Sequence, residues 1–271
     1  MRIKITKPGS LLDQLISACP DSSKTTLRSW IAGGRISILG KVTTLPTRTL
    51  IPGEEILIGQ KGHFAEKGLK ILYEDAHLVV VEKPGGLLSV ASETQSYLTA
   101  HAILKRRRTQ GIVYPVHRLD KETSGVMVFA YTQAAREKLK DLFAMHAVER
   151  QYVAWVSGKV DPKQGTWQSY LKDHEDCVVR QAGPSTGKLA ITHYETIKNA
   201  KGRSLLKLTL ETGRKNQIRV HCQAAGHPVR GDTKYGSSAT ERLYLHAFLL
   251  GFNHPITGKA MRFELPLPSD F

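Results

Sequence analysis

One stretch of the chain decides the fold: Pro115-Val116-His117-Arg118-Leu119-Asp120-Lys121-Glu122-Thr123-Ser124-Gly125, followed at once by the apolar run Val126-Met127-Val128-Phe129-Ala130. A polar loop that leads into a buried strand allows a rigid scaffold to present a side chain at a fixed place. Asp120 lies in this loop between the basic residues Arg118 and Lys121, and turn-forming residues follow it. Taken alone, Asp120 fits an Asx-turn or a surface ion pair as well as a catalytic carboxylate.

The chain on both sides of this loop is rich in strand patterns. Strands are predicted from apolar runs and alternation, and helices from apolar residues at helical spacing. The predicted strands are residues 69–73, 77–83, 125–131, 151–157, 189–197 and 205–211, and the predicted helices are residues 96–108, 133–146 and 216–225. Strands outnumber helices and do not alternate strictly with them, which predicts an α+β fold around a mixed, mostly antiparallel sheet.

The first 59 residues predict a separate small α/β unit. Leu11, Leu12, Leu15 and Ile16 repeat at helical spacing, and a second helix is expected over residues 23–32, ended by Gly33-Gly34. Short strand patterns follow at residues 35–39 and 56–58. Residues 60–68 are polar, contain glycine and lack periodicity, so they predict a linker, and residues 69–271 form the larger domain.

The charge of the chain indicates the class of its partner. The formal net charge is +15 and the sequence pI is about 9.8. Such a charge suits a partner that carries many phosphates and favours nucleic acid; charge for solubility or attraction to an anionic membrane is the alternative. No apolar leader and no stretch of about 18 apolar residues occurs, so we expect a cytoplasmic protein without a membrane span.

The cysteines and histidines give no metal or disulfide pattern. Cys19, Cys177 and Cys222 are far apart and odd in number, which is consistent with a reducing compartment. The 11 histidines show no His-Glu-x-x-His or similar ligand spacing, which disfavours a metal-dependent nuclease or hydrolase. Walker A and dinucleotide-binding fingerprints are also missing from the sequence, so no cofactor is expected.

Several segments together resemble one family. The His-Arg-Leu-Asp-x-x-Thr-Ser-Gly pattern that ends at Gly125 resembles the signature of RluA-type RNA pseudouridine synthases. In the same order follow Glu149-Arg150-Gln151-Tyr152-Val153-Ala154-Trp155-Val156-Ser157-Gly158 and Glu211-Thr212-Gly213-Arg214-Lys215-Asn216-Gln217-Ile218-Arg219-Val220-His221. The segment from Val79 to Leu87 is similar to the Lys-Pro-x-Gly turn of the family. Asn216 departs from the pattern, since many members carry histidine there.

The resemblance implies roles for individual residues. It implies that Asp120 is the catalytic carboxylate, that Tyr152 is the active-site tyrosine and that Arg219 is the basic partner of Asp120. On spacing alone, Tyr152 could be an ordinary strand residue and Arg219 a solvated helix residue. The resemblance further implies contacts with substrate or RNA for the motif residues His117, Arg118, Arg214 and Gln217. Among them, Arg118 is expected to fill the gap that an extruded uridine leaves in its stack.

The N-terminal unit resembles an S-four-type RNA-binding domain. The resemblance rests on Leu27-Arg28-Ser29-Trp30-Ile31 and on Gly34-Arg35-Ile36-Ser37-Ile38-Leu39-Gly40-Lys41-Val42. It implies that the second helix and the loop after it lie on RNA phosphates, with Arg28, Arg35, Lys41 and Arg48 as the basic candidates. A dimerisation or capping module of the same αβ composition remains the alternative.

The sequence therefore predicts a monomeric enzyme that isomerises uridine to pseudouridine in structured RNA. Large-subunit (23S) ribosomal RNA is the expected substrate, because members with such an N-terminal module often act there. Transfer RNA is one alternative, and a catalytically silent RNA-binding protein that assists ribosome assembly is another. The intact Asp120, Tyr152 and Arg219 argue against the silent protein.

Overall fold

The protein divides into two compact units. The computed structural model describes residues 1–32, 35–39, 41–43, 46–59, 69–91, 99–108, 110–176, 178–236, 242–268 and 271. Unit 1 comprises Met1–Lys70 and Leu88–Gly111, and unit 2 comprises Ile71–Leu87 and Ile112–Phe271. Residues 88–111, which the sequence pattern assigned to the larger domain, thus group with the N-terminal residues. The predicted linker, residues 60–68, lies outside the described residues, as do Gly33 and Gly34.

Unit 1 is a small mixture of helices and short strands. Its elements in chain order are β1 (Arg2–Lys4), β2 (Gly9–Ser10), α1 (Leu11–Ala18), α2 (Lys24–Ala32), β3 (Ile36–Ile38), β4 (Lys41–Val42), β5 (Thr49–Leu50), β6 (Glu55–Ile58) and α3 (Ala100–Arg107). Four strands pair in the order β1-β6-β3-β4, and β2 pairs with β5. Helix α1 begins where the Ser10 hydroxyl accepts a hydrogen bond from the Asp13 amide, a common N-cap.

The core of unit 1 joins both predicted helices to the sheet. Leu11 and Leu15 of α1 and Leu27 of α2 are buried in one cluster with Ile36 and Ile56. The helical spacing of the leucines is confirmed, but Ile16 is 38% exposed, so it does not share the buried face. The buried stripe of α1 is therefore narrower than the sequence predicted.

Unit 2 contains one large sheet. Its elements in chain order are β7 (Lys70–Glu74), β8 (Leu78–Lys83), β9 (Tyr114–Pro115), β10 (Ser124–Ala130), α4 (Gln133–Ala144), β11 (Glu149–Ser157), β12 (Gln164–Asp173), β13 (Val179–Ala182), β14 (Lys188–Ala200), β15 (Arg203–Leu210), α5 (Gln217–Ala224), β16 (Leu245–Asn253) and β17 (Ala260–Glu264). The strands run in the order β13-β12-β14-β15-β11-β16-β10-β8-β7, with β9 attached to β10 and β17 to β16.

The pairing confirms the predicted α+β class with a mixed, mostly antiparallel sheet. Strands β10 and β16 pair in parallel. Antiparallel pairs join β10 to β8, β11 to both β15 and β16, and β14 to both β12 and β15. The parallel pair at the centre brings β10, β16 and β11 side by side, so the loop that carries Asp120 enters the middle of the sheet.

Two apolar clusters fix the helices on this sheet. Ala135 and Leu139 of α4 pack with residues of β8 and β10. Ile218 and Cys222 of α5 pack with residues of β11 and β15. The second cluster anchors α5 near the sheet centre, which places the start of that helix beside the Asp120 loop.

Candidate active site

Backbone hydrogen bonds hold the Asp120 loop in place within unit 2. The Thr123 amide donates to the Asp120 carbonyl (3.2 Å), and the Gly86 amide donates to the Lys121 carbonyl (2.9 Å). The Asp120 side chain itself is 24% exposed, so a substrate can reach it. The loop is therefore tied at the backbone while its carboxylate faces a pocket.

A fully buried lysine adds to this anchoring. The Lys83 ammonium donates to the carbonyls of Pro84 (2.9 Å), Leu87 (2.7 Å) and Lys121 (3.0 Å). Burial lowers the pKa of Lys83 to about 7, although the charges of Glu122 and Asp120 raise it. Lys83 thus links the turn after β8 to the loop that carries the carboxylate.

Gly125 allows β10 to lie against β16. Its φ is +128°, and an added Cβ would come within 2.2 Å of the Ala247 carbonyl oxygen. A side chain at this position would collide with backbone, which cannot move aside without separating the strands. The glycine that ends the Asp120 loop is therefore required by the close approach of two strands.

His117 holds the start of the loop. Its Nε2 accepts a hydrogen bond from the Val128 amide (3.0 Å), and its ring stacks on Phe143 with centroids 4.7 Å apart. Burial, followed by the charge of Arg150, lowers the pKa of His117 to about 3, so the ring is neutral. These contacts fit an anchoring residue better than the RNA contact that the sequence implied.

Arg219 faces Asp120 from helix α5, but most of its hydrogen bonds go elsewhere. Its Nη1 lies 3.4 Å from Asp120 Oδ2, while Nε and Nη2 donate to Oδ2 and Oδ1 of Asp232, each at 2.7 Å. Arg219 is only 8% exposed, so it is not a solvated helix residue. Burial opposes its charge, but the hydrogen bonds and charges of Asp232 and Asp120 prevail and raise the pKa of Arg219.

Asp232 is a residue whose contribution the sequence reasoning missed. Its carboxylate is buried and also accepts from the Lys234 and Tyr235 amides (both 3.0 Å). It therefore holds two guanidinium nitrogens of Arg219 and leaves Nη1 directed at Asp120. The signal in the sequence is Asp232 in the turn pattern Gly231-Asp232, which follows shortly after the matched segment that ends at His221.

Asn216 lies closer to the Asp120 carboxylate than Arg219 does. It is buried and is the N-cap of α5, with a left-handed backbone (φ 54°, ψ 18°). The orientation of its amide follows from its hydrogen-bonding neighbours. With the nitrogen toward the carboxylate, it donates to Oδ2 (2.6 Å) and Oδ1 (3.1 Å) of Asp120, and its oxygen accepts from the Tyr235 hydroxyl (3.0 Å).

Tyr152 lines the same pocket from strand β11. Burial raises the pKa of its phenol to about 12; Arg150 lowers it and Asp120 raises it further. The hydroxyl is therefore protonated at neutral pH. The pocket unites Asp120, Tyr152 and Arg219, which belong to three separate segments of the sequence.

Of the other motif residues, two are exposed at the pocket and one is buried with its amide group hydrogen-bonded to the protein. Arg118 is exposed and lines the pocket, and Arg214 lines it while its Nε donates to the Leu189 carbonyl (2.9 Å). Gln217 also borders the pocket but is buried, and its amide bonds to Thr212, to the Arg214 amide, and to Ile191 and Thr192 of β14. Gln217 thus fastens the turn before α5 to the sheet.

The basic candidates of unit 1 differ in their surroundings. Arg28 is exposed on α2. Arg35 lies over the Trp30 ring at 4.5 Å and donates to the Gly59 carbonyl, and Arg48 pairs with Glu54 at 3.0 Å. The side chain of Lys41 lies outside the described residues. Arg28 therefore presents its charge to solvent most directly among the described candidates.

Within the described ranges, no three His, Cys, Asp or Glu side chains come together in a way that could hold a metal ion. No helix in the same ranges has both the length and the apolar character that a bilayer crossing demands.

Comparisons with known proteins show the class of protein to which this fold and pocket belong. The model of a family described as RNA pseudouridylate synthase matches residues 77–224. Ribosomal large subunit pseudouridine synthase D of Nitrosomonas europaea is 35% identical over 295 residues, which cover 99% of this chain and 85% of that protein. The protein of the same name from Vibrio parahaemolyticus is 31% identical, covering 99% and 90%. The chain belongs to the RNA pseudouridylate synthase family.

Solved structures show the same fold. Human RNA Pseudouridylate Synthase Domain Containing 1 superposes with a TM-score of 0.62 at 26% identity, covering 73% of this chain and 83% of that one. Human RNA Pseudouridylate Synthase Domain Containing 4 gives a TM-score of 0.63 at 23% identity, with coverage of 78% and 92%. The prediction of an RluA-type enzyme of the isomerase class is confirmed.

Proposed function

We propose that this enzyme isomerises a uridine in large-subunit ribosomal RNA, with the Asp120 carboxylate acting on the ribose. The observation that carries the proposal is the pocket in which Asp120 lies 3.4 Å from Arg219 and shares the walls with Tyr152. The ribosomal substrate is suggested by the names of the relatives that match nearly the whole chain. Transfer RNA is the alternative substrate.

The reaction breaks the bond from the ribose to the uracil nitrogen, rotates the base and rejoins it through a ring carbon. Asp120 acts either as nucleophile at the sugar or as the base that takes a sugar proton. Both routes need an ionised carboxylate at neutral pH. The Arg219 guanidinium and the Asn216 amide both present N–H donors to the Asp120 carboxylate.

Tyr152 bounds the pocket where the base would lie. Its ring can stack on the uracil, as aromatic side chains do with extruded bases. Since its hydroxyl is protonated at neutral pH, it can take the proton from the new bonding carbon only while it passes its own proton on. We propose that Tyr152 acts in a proton relay, taking the carbon-bound proton while its own hydroxyl proton passes to solvent, and not as a phenolate base.

Uridine must leave its stack to reach Asp120. Unstacking costs a few kcal/mol, least in loops. Arg118 is exposed at the pocket wall, and its planar guanidinium can occupy the vacated place or bind a phosphate. Arg214, which also lines the pocket, would contact the flanking phosphates.

We propose that residues 1–59 form the S-four-type RNA-binding domain that grips the substrate, joined through residues 60–68 to the catalytic domain 69–271. The exposed Arg28 on α2 supports this role, and the net charge of +15 agrees with it. We also propose that the enzyme acts as a cytoplasmic monomer. Light scattering of the pure protein tests the monomer.

Tritium release from uracil-labelled ribosomal RNA tests the catalytic assignment. Asp120→Asn keeps the shape of the side chain but removes its charge, so the rate should fall by about 10²- to 10⁴-fold or more. Asp141→Asn, exposed on α4, is the matched control and should release label as wild type does. Equal release by Asp120→Asn and wild type would show that Asp120 is not the catalytic carboxylate.

Pseudouridine mapping tests the substrate. RNA from cells with and without the gene should differ at one or a few positions of large-subunit ribosomal RNA. Differences confined to transfer RNA would reassign the substrate, and unchanged RNA together with intact RNA binding would favour the silent protein.

A further inference from the structure

We propose that Asn216 and Tyr235 form a positioning pair that sets the orientation of the Asp120 carboxylate, an inference that rests on the proposed role of Asp120. Both residues are buried, with exposed fractions of 8% and 7%. Asn216 contacts both oxygens of Asp120, at 2.6 and 3.1 Å, and Tyr235 contacts Asn216 at 3.0 Å. The pair thus forms a continuous hydrogen-bonded chain that ends on the carboxylate.

The backbone of Asn216 directs the side chain away from an ordinary capping role. An asparagine at a helix N-cap normally accepts a hydrogen bond from an amide of the first turn. Asn216 makes no such bond, and its φ of 54° lies in the left-handed region that few residue types other than glycine adopt readily. The left-handed N-cap therefore serves to turn the amide toward Asp120.

The Asp120 carboxylate and the Tyr235 hydroxyl together determine which end of the Asn216 amide faces the carboxylate. The Val179 amide donates to the Tyr235 oxygen (3.0 Å), which leaves the hydroxyl hydrogen for the carbonyl oxygen of Asn216. With that oxygen engaged, the NH₂ group points at Asp120. The reverse orientation would bring the amide oxygen against two carboxylate oxygens.

Asn216 and Arg219 divide the work on Asp120. The Arg219 contact is longer, at 3.4 Å, because Asp232 holds the other guanidinium nitrogens. Arg219 therefore supplies charge, whereas Asn216 fixes the plane of the carboxylate through shorter bonds from a neutral donor. A neutral donor orients the oxygens without pinning them in a close ion pair.

Several charged or titratable groups lie around Asp120 and contribute to the pH dependence of the rate. Arg219 comes from α5, Tyr152 from β11, and Lys83 from β8, and Asp232 acts through Arg219. The remaining basic side chains of the pocket wall are Arg118, Arg214 and Lys215, and the loop itself carries Lys121 and Glu122.

The decisive variant is Asn216→Asp, which keeps the shape but sets a second carboxylate against Asp120. Two adjacent carboxylates resist joint ionisation, so the acid limb of the single-turnover rate should move to higher pH, by about 1–3 units. Asn216→His keeps an N–H donor and tolerates a positive φ, so it should retain most of the rate and leave the acid limb in place. Asn253→Asp, exposed at the far end of β16, controls for one added negative charge.

The outcomes separate this inference from the catalytic assignment. If Asp120→Asn is inactive while Asn216→Asp keeps the wild-type rate and acid limb, the positioning pair is wrong and the assignment of Asp120 survives. A slower Asn216→Asp with an unshifted acid limb also overturns the inference, because a structural defect alone gives that result. An active Asp120→Asn instead removes the proposed function.

Should Asn216→Asp fail to fold, Tyr235→Phe supplies the test. It removes the hydroxyl that orients the amide, so the single-turnover rate should fall while the Kd for ribosomal RNA stays as in wild type. Thermal unfolding measures the separate cost of leaving the Val179 amide without its acceptor. A folded Tyr235→Phe with the wild-type rate overturns the pair.

Discussion

Units 1 and 2 each provide an example of a different kind of positive charge. In unit 2, Arg150 and Arg219 are both only 8% exposed, and fixed partners hold them: the Glu211 carbonyl for Arg150 and the Asp232 carboxylate for Arg219. In unit 1, Lys24 and Arg28 are exposed on α2. A buried, partnered cation acts on one neighbour at a set distance, whereas an exposed cation acts on any phosphate that approaches. We therefore expect the first kind to govern the chemical step and the second to govern association.

Removing the buried Arg219 is expected to have the largest effect and tests directly whether such a cation governs the chemical step. Arg219→Ala takes away the charge beside Asp120 and leaves Asp232 buried without its partner. Turnover should fall by about 10²-fold, as when one preorganised donor is lost from an active site, while RNA affinity changes little. Single-turnover rates and filter-binding Kd values measure the two effects. Arg180→Ala, which removes an exposed arginine of the same unit, is the control.

A loss of affinity as large as the loss of rate would contradict the division of roles. In that case Arg219 would bind RNA phosphate directly rather than act through Asp120.

Asp120, Tyr152 and Arg219 could be predicted because each lies in a continuous motif, whereas Asp232 and Tyr235 were given no role. The sequence could not predict the geometry of the site, because Asp120 and Arg219 are 99 residues apart and meet only through the folded sheet. The resemblance paired Arg219 with Asp120, but the shorter contacts of Arg219 are with Asp232. Which of two acidic neighbours takes the bidentate contact depends on the turn after α5, and spacing carries no information about it.

Unit 2 contains five strands that the sequence pattern did not predict: β9, β12, β13, β16 and β17. Among them, β16 pairs with β10, the strand that follows the Asp120 loop. Strand β16 lies at the centre of the sheet, and all but two of its residues are buried. Leu245–Asn253 shows no alternation of apolar and polar residues, and unlike the buried run Val126–Ala130 of β10 its apolar residues are interrupted by His246 and Gly251. Such a segment fits a buried helix as well as a buried strand, so its residue pattern did not identify β16.

A second prediction concerns unit 1 and tests whether its exposed cations govern RNA association. Lys24 and Arg28 are one helical turn apart on α2, so they present two charges on one face. Replacing both by alanine should reduce the slope of log Kd against log salt by about 1 per residue, while the rate at saturating RNA stays unchanged. Lys138→Ala with Lys140→Ala, both exposed on α4, is the charge-matched control.

An unchanged salt slope in the α2 variant would remove unit 1 from the RNA interface. A reduced rate at saturating RNA would instead show that α2 contributes to the chemical step, contrary to the division proposed above.

The smallest expected effect is a pH dependence of the free energy of unfolding, which arises from the buried His117. His117 is neutral in the folded protein, with a pKa lowered to about 3 first by burial and then by Arg150, whereas an unfolded histidine titrates near about 6.5. Between these values the unfolded chain binds a proton that the folded chain does not. The free energy of unfolding should therefore fall as the pH drops below about 6.5, by up to about 1.4 kcal/mol per pH unit. His221, whose pKa burial lowers to about 4, contributes in the same direction.

His117→Gln isolates this contribution, because its amide oxygen can still accept from the Val128 amide but does not titrate. Urea unfolding across the acid range should give a shallower fall in stability than wild type, while the exposed His174→Gln should keep the wild-type slope. Equal slopes for His117→Gln and wild type would mean that water reaches the imidazole and that the Asp120 loop opens locally. In that case the region beside Asp120 would be open to solvent, as α2 of unit 1 is. The expected difference between a fixed catalytic site and an exposed binding surface would then not hold at His117.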